Sequence, residues 1–231
     1  MTSGNVGWLS ARAAQRWSSE TFAHLGEQQL TFQELSGWVD SVAAEMVRAG
    51  VEKSDKVLVH LANGFEVVVF QLAAWRIGAI AVPVVPIYRR RELSHIVGDV
   101  CPRVIVTSGT SADGSHAATF DELLDSHDRR KTIKWHVGDA PTAWELAPPR
   151  QNGPQPVDLP DPAGDDECCL ILYTSGTTSA PKGVRLSSTA LVQATGAWVG
   201  IGIGRQDVAL AVAPLAHIAG LIPGALLPLT V

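Results

Sequence analysis

Short apolar runs alternate with capped amphipathic helices over the first 138 residues, and this alternation constrains the fold more than any other feature of the chain. Thr31 to Gly50 carries Leu35, Val39, Val42, Met46 and Val47 on one face at the 3.6-residue period. Thr31 with Glu34 forms a capping box at its start, and Gly50 supplies the left-handed residue just past its end. Lys56 to Leu61 then reads as a short buried strand, and Asn63 with Glu66 opens a second helix that closes at Gly78. Ile80 to Val85 is a second strand, Arg91 to Val100 a short helix, Arg103 to Thr107 a third strand and Thr132 to Val137 a fourth. Strands separated by helices need right-handed crossovers, which lay the strands side by side in parallel. The predicted fold class is α/β, with two α/β units and largely parallel sheets.

The division into units comes from a change of composition. Seven of the 14 prolines fall between Asp139 and Asp166, with hardly any apolar periodicity, so residues 139–166 read as a Pro-rich loop or linker. Residues 1–138 form the first subdomain, and residues 167–231 begin a second. In the second, Glu167 to Tyr173 is a strand, Ser188 to Val199 a helix and Val208 to Ala213 another strand.

From Val208 to Val231 there is no charged residue, a run long enough to span a bilayer. Pro214, Pro223 and Pro228, with Gly220 and Gly224, break it into short pieces, and no Lys or Arg follows, so a buried core segment is predicted in place of a membrane span. The chain stops inside this apolar stretch and reads as truncated. The formal charge of −5 excludes a basic nucleic-acid footprint. Cys101, Cys168 and Cys169 lack C-x-x-C spacing and are odd in number, which argues against a disulfide framework or a structural zinc site and points to a reducing cytoplasm.

The chemistry concentrates in the run Tyr173, Thr174, Ser175, Gly176, Thr177, Thr178, Ser179, Ala180, Pro181, Lys182, Gly183. Four hydroxyls between Thr174 and Thr178, Gly176 free to take positive φ and Lys182 suit a polyphosphate, because small residues leave backbone N–H groups open to an anion. It is not a Walker A loop, since Gly183 and not Ser or Thr follows Lys182 and no second glycine precedes it. No G-x-G-x-x-G occurs either. Composition alone leaves a polar hairpin loop equally open.

The ordered string Y-T-S-G-T-T-S-A-P-K-G-V resembles the signature loop of the adenylate-forming ligases, the superfamily of acyl-CoA synthetases, peptide-synthetase adenylation domains and luciferases. L-T-F-Q-E-L at Leu30 to Leu35, R-I-G-A-I-A-V-P-V-V-P at Arg76 to Pro86 and P-L-A-H-I-A-G at Pro214 to Gly220 are similar to further elements of that family, in order. Ser179 departs from it, since most members carry Gly there. The resemblance implies that Thr174, Ser175, Gly176, Thr177, Thr178 and Lys182 cradle the ATP phosphates, with Thr174 also a partner for Mg²⁺. It places His217 beside the acyl pocket, although a lone His on an uncharged stretch is by itself more readily a satisfied core residue.

The activity so implied is ATP-dependent activation of a carboxylic acid to acyl-AMP, followed by transfer to CoA. The acyl-CoA synthetase branch is favoured by V-P-V-V-P-I-Y-R-R-R-E-L, with fatty-acid metabolism as the expected setting. The family's later elements, including its metal-binding acid and the catalytic lysine of a mobile C-terminal domain, would follow Val231. No catalytic residue is therefore assigned, and the 231 residues alone are expected to be incompetent. The alternative is a non-catalytic fragment or pseudoenzyme that binds nucleotide weakly or pairs with a separate remainder.

Overall fold

The computed structural model describes residues 4–111, 114–125, 132–139, 141, 144–148, 158–174 and 180–231. In chain order the elements are α1 (Leu9–Trp17), the hairpin β1 (Thr21–Leu25) and β2 (Gln28–Thr31), α2 (Phe32–Arg48), β3 (Lys56–His60), α3 (Phe65–Arg76), β4 (Ile80–Pro83), α4 (Arg90–Val100) and β5 (Val104–Ser108). There follow the two-residue strands β6 (Thr110–Ser111) and β7 (Gly114–Ser115), then α5 (His116–Asp125), β8 (Ile133–Val137), β9 (Glu145–Leu146), β10 (Cys168–Thr174), β11 (Lys182–Ser187), α6 (Ser188–Gly200) and the single turn α7 (Ile218–Leu221).

Seven strands form one sheet in the order β11-β10-β4-β3-β5-β8-β9, parallel except for the β10–β11 hairpin. The predicted strands at 56–61, 80–85 and 103–107 are its centre, in register through Val57↔Ala81 and Val57↔Val104. The strand after the proline-rich stretch, β10, joins this same sheet beside β4 through Leu170↔Ala81.

Side-chain alternation explains the layers. Val57, Val59, Ala81, Val104, Val106, Leu170 and Leu172 pack with α1, α2 and α3 on one face, while Leu58, Ile80, Val82, Ile105, Ile171 and Tyr173 pack with α4 and α5 on the other. Helices must cover both faces because β3 leads through α3 to β4 on one side, whereas β4 leads through α4 to β5 on the other side of β3. Two right-handed crossovers running in opposite directions lie on opposite faces.

Local signals position these elements. The capping box is present, with the Glu34 N–H donating to Thr31 Oγ1 at 3.2 Å and the Thr31 N–H to Glu34 Oε2 at 2.8 Å. Gly50 takes φ +78° past α2. The start of α3 differs from expectation: its N-cap is Gly64, because the Asn63 side chain makes tertiary contacts instead. The chain start is tied to much later residues. The Val6 N–H donates to Ser188 Oγ at 2.9 Å, and Asn5 Nδ2 donates to the Ala163 carbonyl at 2.7 Å and to Asp165 Oδ1 at 2.8 Å.

The uncharged stretch divides in two. Residues 208–213 are not the predicted strand: Val208, Leu210 and Val212 are 96%, 85% and 80% exposed. The physical reason is that no described strand pairs with them, and the Asn63 amide takes the carbonyls of Ala211 and Ala213. Beyond them Leu215, Leu221, Ile222, Ala225, Leu226 and Leu229 are buried in the core on the α3 face, as predicted for a core segment. Pro223 and Pro228 each open a fresh short turn, which keeps this stretch from forming one long helix. Among the described residues no helix is long and apolar enough to cross a membrane.

Candidate functional site

Strand β10 places the candidate loop at the sheet edge where ligands collect. Because β10, β4 and β3 are parallel, Thr174 at the end of β10 and Asn63 just after β3 both lie toward the C-terminal edge of the sheet. The connections from β3 and β4 diverge there to opposite faces, and a crevice at such a switch point is the usual ligand site of an open α/β sheet.

The hairpin register sets Thr174 opposite Lys182 and Tyr173 opposite Gly183. Two of the predicted phosphate ligands, Thr174 and Lys182, are thereby brought side by side at the mouth of the loop, and both are exposed. The other four, Ser175, Gly176, Thr177 and Thr178, lie outside the described residues, as does Ser179. A hydroxyl and an ammonium facing open solvent across a hairpin can together receive an anionic ligand. Among the described residues no group of three or more His, Cys, Asp or Glu side chains is arranged to hold a metal.

Helix α4 grips both strands of the hairpin, which the sequence did not reveal. His95 Nε2 donates to the Pro181 carbonyl at 2.8 Å, and the Tyr173 hydroxyl donates to Asp99. Burial first, then the bond to Asp99 and the charge of that carboxylate, push the Tyr173 phenol well above its ordinary pKa, so it remains a donor. Gly183 is closely packed here: a Cβ would come within 3.2 Å of the Tyr173 ring and 3.1 Å of Ile171 Cγ2, so either side chain would have to give by a few tenths of an ångström. The one available signal was the spacing of His95 and Asp99, which puts two polar side chains on the same side of α4.

His217 lies on a separate turn. Asn63 Nδ2 donates to the carbonyls of Ala211 at 3.0 Å and Ala213 at 2.9 Å, and its Oδ1 accepts the Leu215 N–H at 2.8 Å. The His217 N–H closes back onto the Pro214 carbonyl at 2.9 Å, and its Nδ1 accepts the Ala219 N–H at 3.2 Å, capping α7. That bond fixes Nδ1 as the unprotonated nitrogen. The residue is exposed, so it is not a satisfied core histidine. Gly220 is dictated by the same turn, since a Cβ there would lie 2.2 Å from the Pro214 carbonyl oxygen. No hydrogen bond joins His217 to Thr174 or Lys182 among the described residues.

A further cluster at this edge is structural. His60, the last residue of β3, is fully buried, with Nδ1 3.0 Å from Thr107 Oγ1 and its ring centroid 4.5 Å from that of His116. Burial, helped by His116, lowers its pKa to about 3, so it is neutral at ordinary pH.

The AMP-binding enzyme profile matches residues 10–231. The chain belongs to the AMP-binding enzyme family. Among its relatives, this AMP-binding chain is 29% identical over 215 residues to 2-succinylbenzoate–CoA ligase of Bacillus cereus, covering 93% of the chain and 39% of the relative. It is 32% identical over 174 residues to propionate–CoA ligase of Salmonella typhimurium, covering 69% and 27%. The apo structure of MbtA from Mycobacterium smegmatis superposes with a TM-score of 0.86 at 27% identity, over 100% of this chain and 43% of that one. The N-terminal domain of FACL13 from Mycobacterium tuberculosis shares the fold, with a TM-score of 0.77 at 24% identity over 96% of this chain and 56% of that one. The AMP-binding chain thus spans less than half the length of the curated relatives it matches, and corresponds to the N-terminal part of an adenylate-forming enzyme.

Proposed function

We propose that the AMP-binding chain contributes the phosphate-handling half of an acid–thiol ligase that converts a carboxylic acid to acyl-AMP and passes the acyl group to CoA. The observation that carries this reading is the pairing of Thr174 with Lys182 at the mouth of the hairpin loop, on the C-terminal edge of the parallel sheet. CoA ligases among the relatives support the choice of acceptor.

In the first half-reaction a carboxylate oxygen attacks the α-phosphorus of MgATP, the bond to the bridging oxygen breaks, and pyrophosphate leaves with that electron pair. Two anions must approach each other, so donors and a cation that offset their repulsion lower the barrier. The Lys182 ammonium would lie against the departing phosphates, with the Thr174 hydroxyl and the loop residues Ser175, Gly176, Thr177 and Thr178 completing the cradle. In the second half-reaction the CoA thiolate attacks the acyl carbonyl and AMP leaves. His217 would line the acyl side. Its protonated Nε2 is left free by the Nδ1 cap, so it can donate a hydrogen bond without acting as a base. In this reading residues 1–138 and 167–231 are the two subdomains, joined by residues 139–166.

The test is ATP–pyrophosphate exchange with a panel of aliphatic and aromatic carboxylic acids, run on residues 1–231 and on any longer product of the same reading frame. Exchange by the longer product and none by residues 1–231 is the expected result. Nucleotide binding without exchange from either would favour the second reading, a weak nucleotide binder that works only with a separate remainder. Absence of both would overturn the proposal.

A further inference from the structure

The tip of the β10–β11 hairpin has little to hold it from within the sheet. β11 is the sheet's outer strand, and β10 meets β4 through the Leu170↔Ala81 pair, four residues short of Thr174. Residues 173–174 and 182–183 pair with each other but reach past the β10–β4 pairing. A loop that must present a hydroxyl and an ammonium to the same phosphates needs its two ends fixed relative to each other, because small misplacements of such groups cost rate disproportionately.

Helix α4 supplies that fixing from the side. His95 and Asp99 stand one helical turn apart, and each takes one strand of the hairpin, one residue before the paired site groups. His95 holds the carbonyl of Pro181, which precedes Lys182, and Asp99 holds the hydroxyl of Tyr173, which precedes Thr174. The surroundings fit the grip. Pro181 has no N–H of its own to offer a ladder, so the carbonyl bond to His95 is its polar tether. Gly183 leaves room for the Tyr173 ring to lie across the hairpin toward Asp99, and the His95 ring meets the Tyr173 ring edge-on at 6.4 Å.

We propose that His95 and Asp99 are positioning residues for the phosphate loop, acting through Pro181 and Tyr173 on Lys182 and Thr174, and that they govern the adenylation half-reaction and not the thioester half-reaction. The inference rests on the function proposed above. It adds a pair of side chains outside the loop to the machinery that binds MgATP.

The experiment uses His95→Ala, His95→Gln, Asp99→Ala and Tyr173→Phe in the longer product of the same reading frame, with two kinetic readouts. In pyrophosphate exchange the alanine variants should raise KM for MgATP by about 3- to 10-fold, the range expected for losing one hydrogen bond. His95→Gln, whose amide can still donate to the Pro181 carbonyl, should return to within about twofold of wild type. The double variant Asp99→Ala/Tyr173→Phe should be no worse than either single, because both remove the same contact. With preformed acyl-AMP and CoA, all variants should match wild type. Equal losses in both half-reactions, or no rescue by glutamine, would overturn the proposal.

A wild-type longer product that shows no exchange with any acid would defeat the functional reading, and the brace is then judged separately by amide hydrogen exchange on residues 1–231. His95→Ala and Asp99→Ala should speed exchange at residues 173, 174, 182 and 183 at least fivefold, with Leu58 in β3 unchanged. Unaltered exchange at the hairpin tip would show that α4 does not hold it.

Discussion

Removing the Asn63 side chain should release the turn that carries His217. Asn63 spends two donors and one acceptor on the backbone of Ala211, Ala213 and Leu215. At a net 0.5 to 1.5 kcal/mol each, three bonds would total about 1.5 to 4.5 kcal/mol. The two donor bonds are exposed and water can replace them, so the lower part of that range applies and about 2 kcal/mol is expected for Asn63→Ala. The assay is hydrogen exchange at the amides of His217 and Gly220, which bond to Pro214 and His217 and not to Asn63, so they report opening of the turn itself. An opening eased by about 2 kcal/mol speeds their exchange about 30-fold. Asn63→Asp is the sharper variant. It keeps the acceptor for Leu215 but sets a carboxylate against the carbonyls of Ala211 and Ala213, so it should open the turn at least as far as alanine does. Protection at His217 and Gly220 within about twofold of wild type in both variants would refute the reasoning. It would mean that burial of Leu215 and Leu221 holds the turn unaided.

Three further outcomes are expected. In an active full chain, Lys182→Ala should slow adenylate formation about 10- to 100-fold, from a charge-assisted contact of roughly 1.5 to 3 kcal/mol, and leave CoA transfer from preformed acyl-AMP unchanged; equal loss in both steps would remove the phosphate role. His60, with its folded pKa lowered from 6.5 to about 3, should make urea stability fall as the pH drops from about 6.5 toward 3, because in that window the unfolded chain binds a proton that the buried ring refuses. The limiting slope is about 1.4 kcal/mol per pH unit for one proton, and His60→Asn should flatten it; an unchanged profile in that variant would show that His60 is not the group concerned. Gly220→Ala, whose Cβ would meet the Pro214 carbonyl oxygen at 2.2 Å, should lower stability by about 1 to 3 kcal/mol or more in the same denaturation assay, and a neutral result would mean that the turn relaxes freely.

The central sheet was legible because each of its strands sits between local signals that act alone: the Thr31–Glu34 box, Gly50 after α2 and the alternating Val57, Leu58 and Val59. Strand 208–213 was misread because its apolar pattern is real, but pairing depends on a partner that the pattern does not contain. Asn63 was misread for a related reason. The same side chain can cap a helix or clasp a distant backbone, and only the approach of residues 211–215 decides between them. Of the candidate site, Thr174 and Lys182 could be singled out because the run is contiguous in sequence. His95 and Asp99 bond to that run from 74 or more positions away, and their own spacing shows only that they share one side of α4, not what they meet.

The clasp between the chain start and Ser188 sets a clock on synthesis. The Val6 amide waits for a partner 182 residues later, which a ribosome needs about 10 to 40 s to deliver. Throughout that interval the first turn can lean on α3 once α3 exists, but its polar anchors at Ala163, Asp165 and Ser188 are still missing. The residues around Val6 thus gain this anchor only after Ser188 has been made. A nascent chain arrested before Ser188 would lack the partner of the Val6 amide and leave that donor to water.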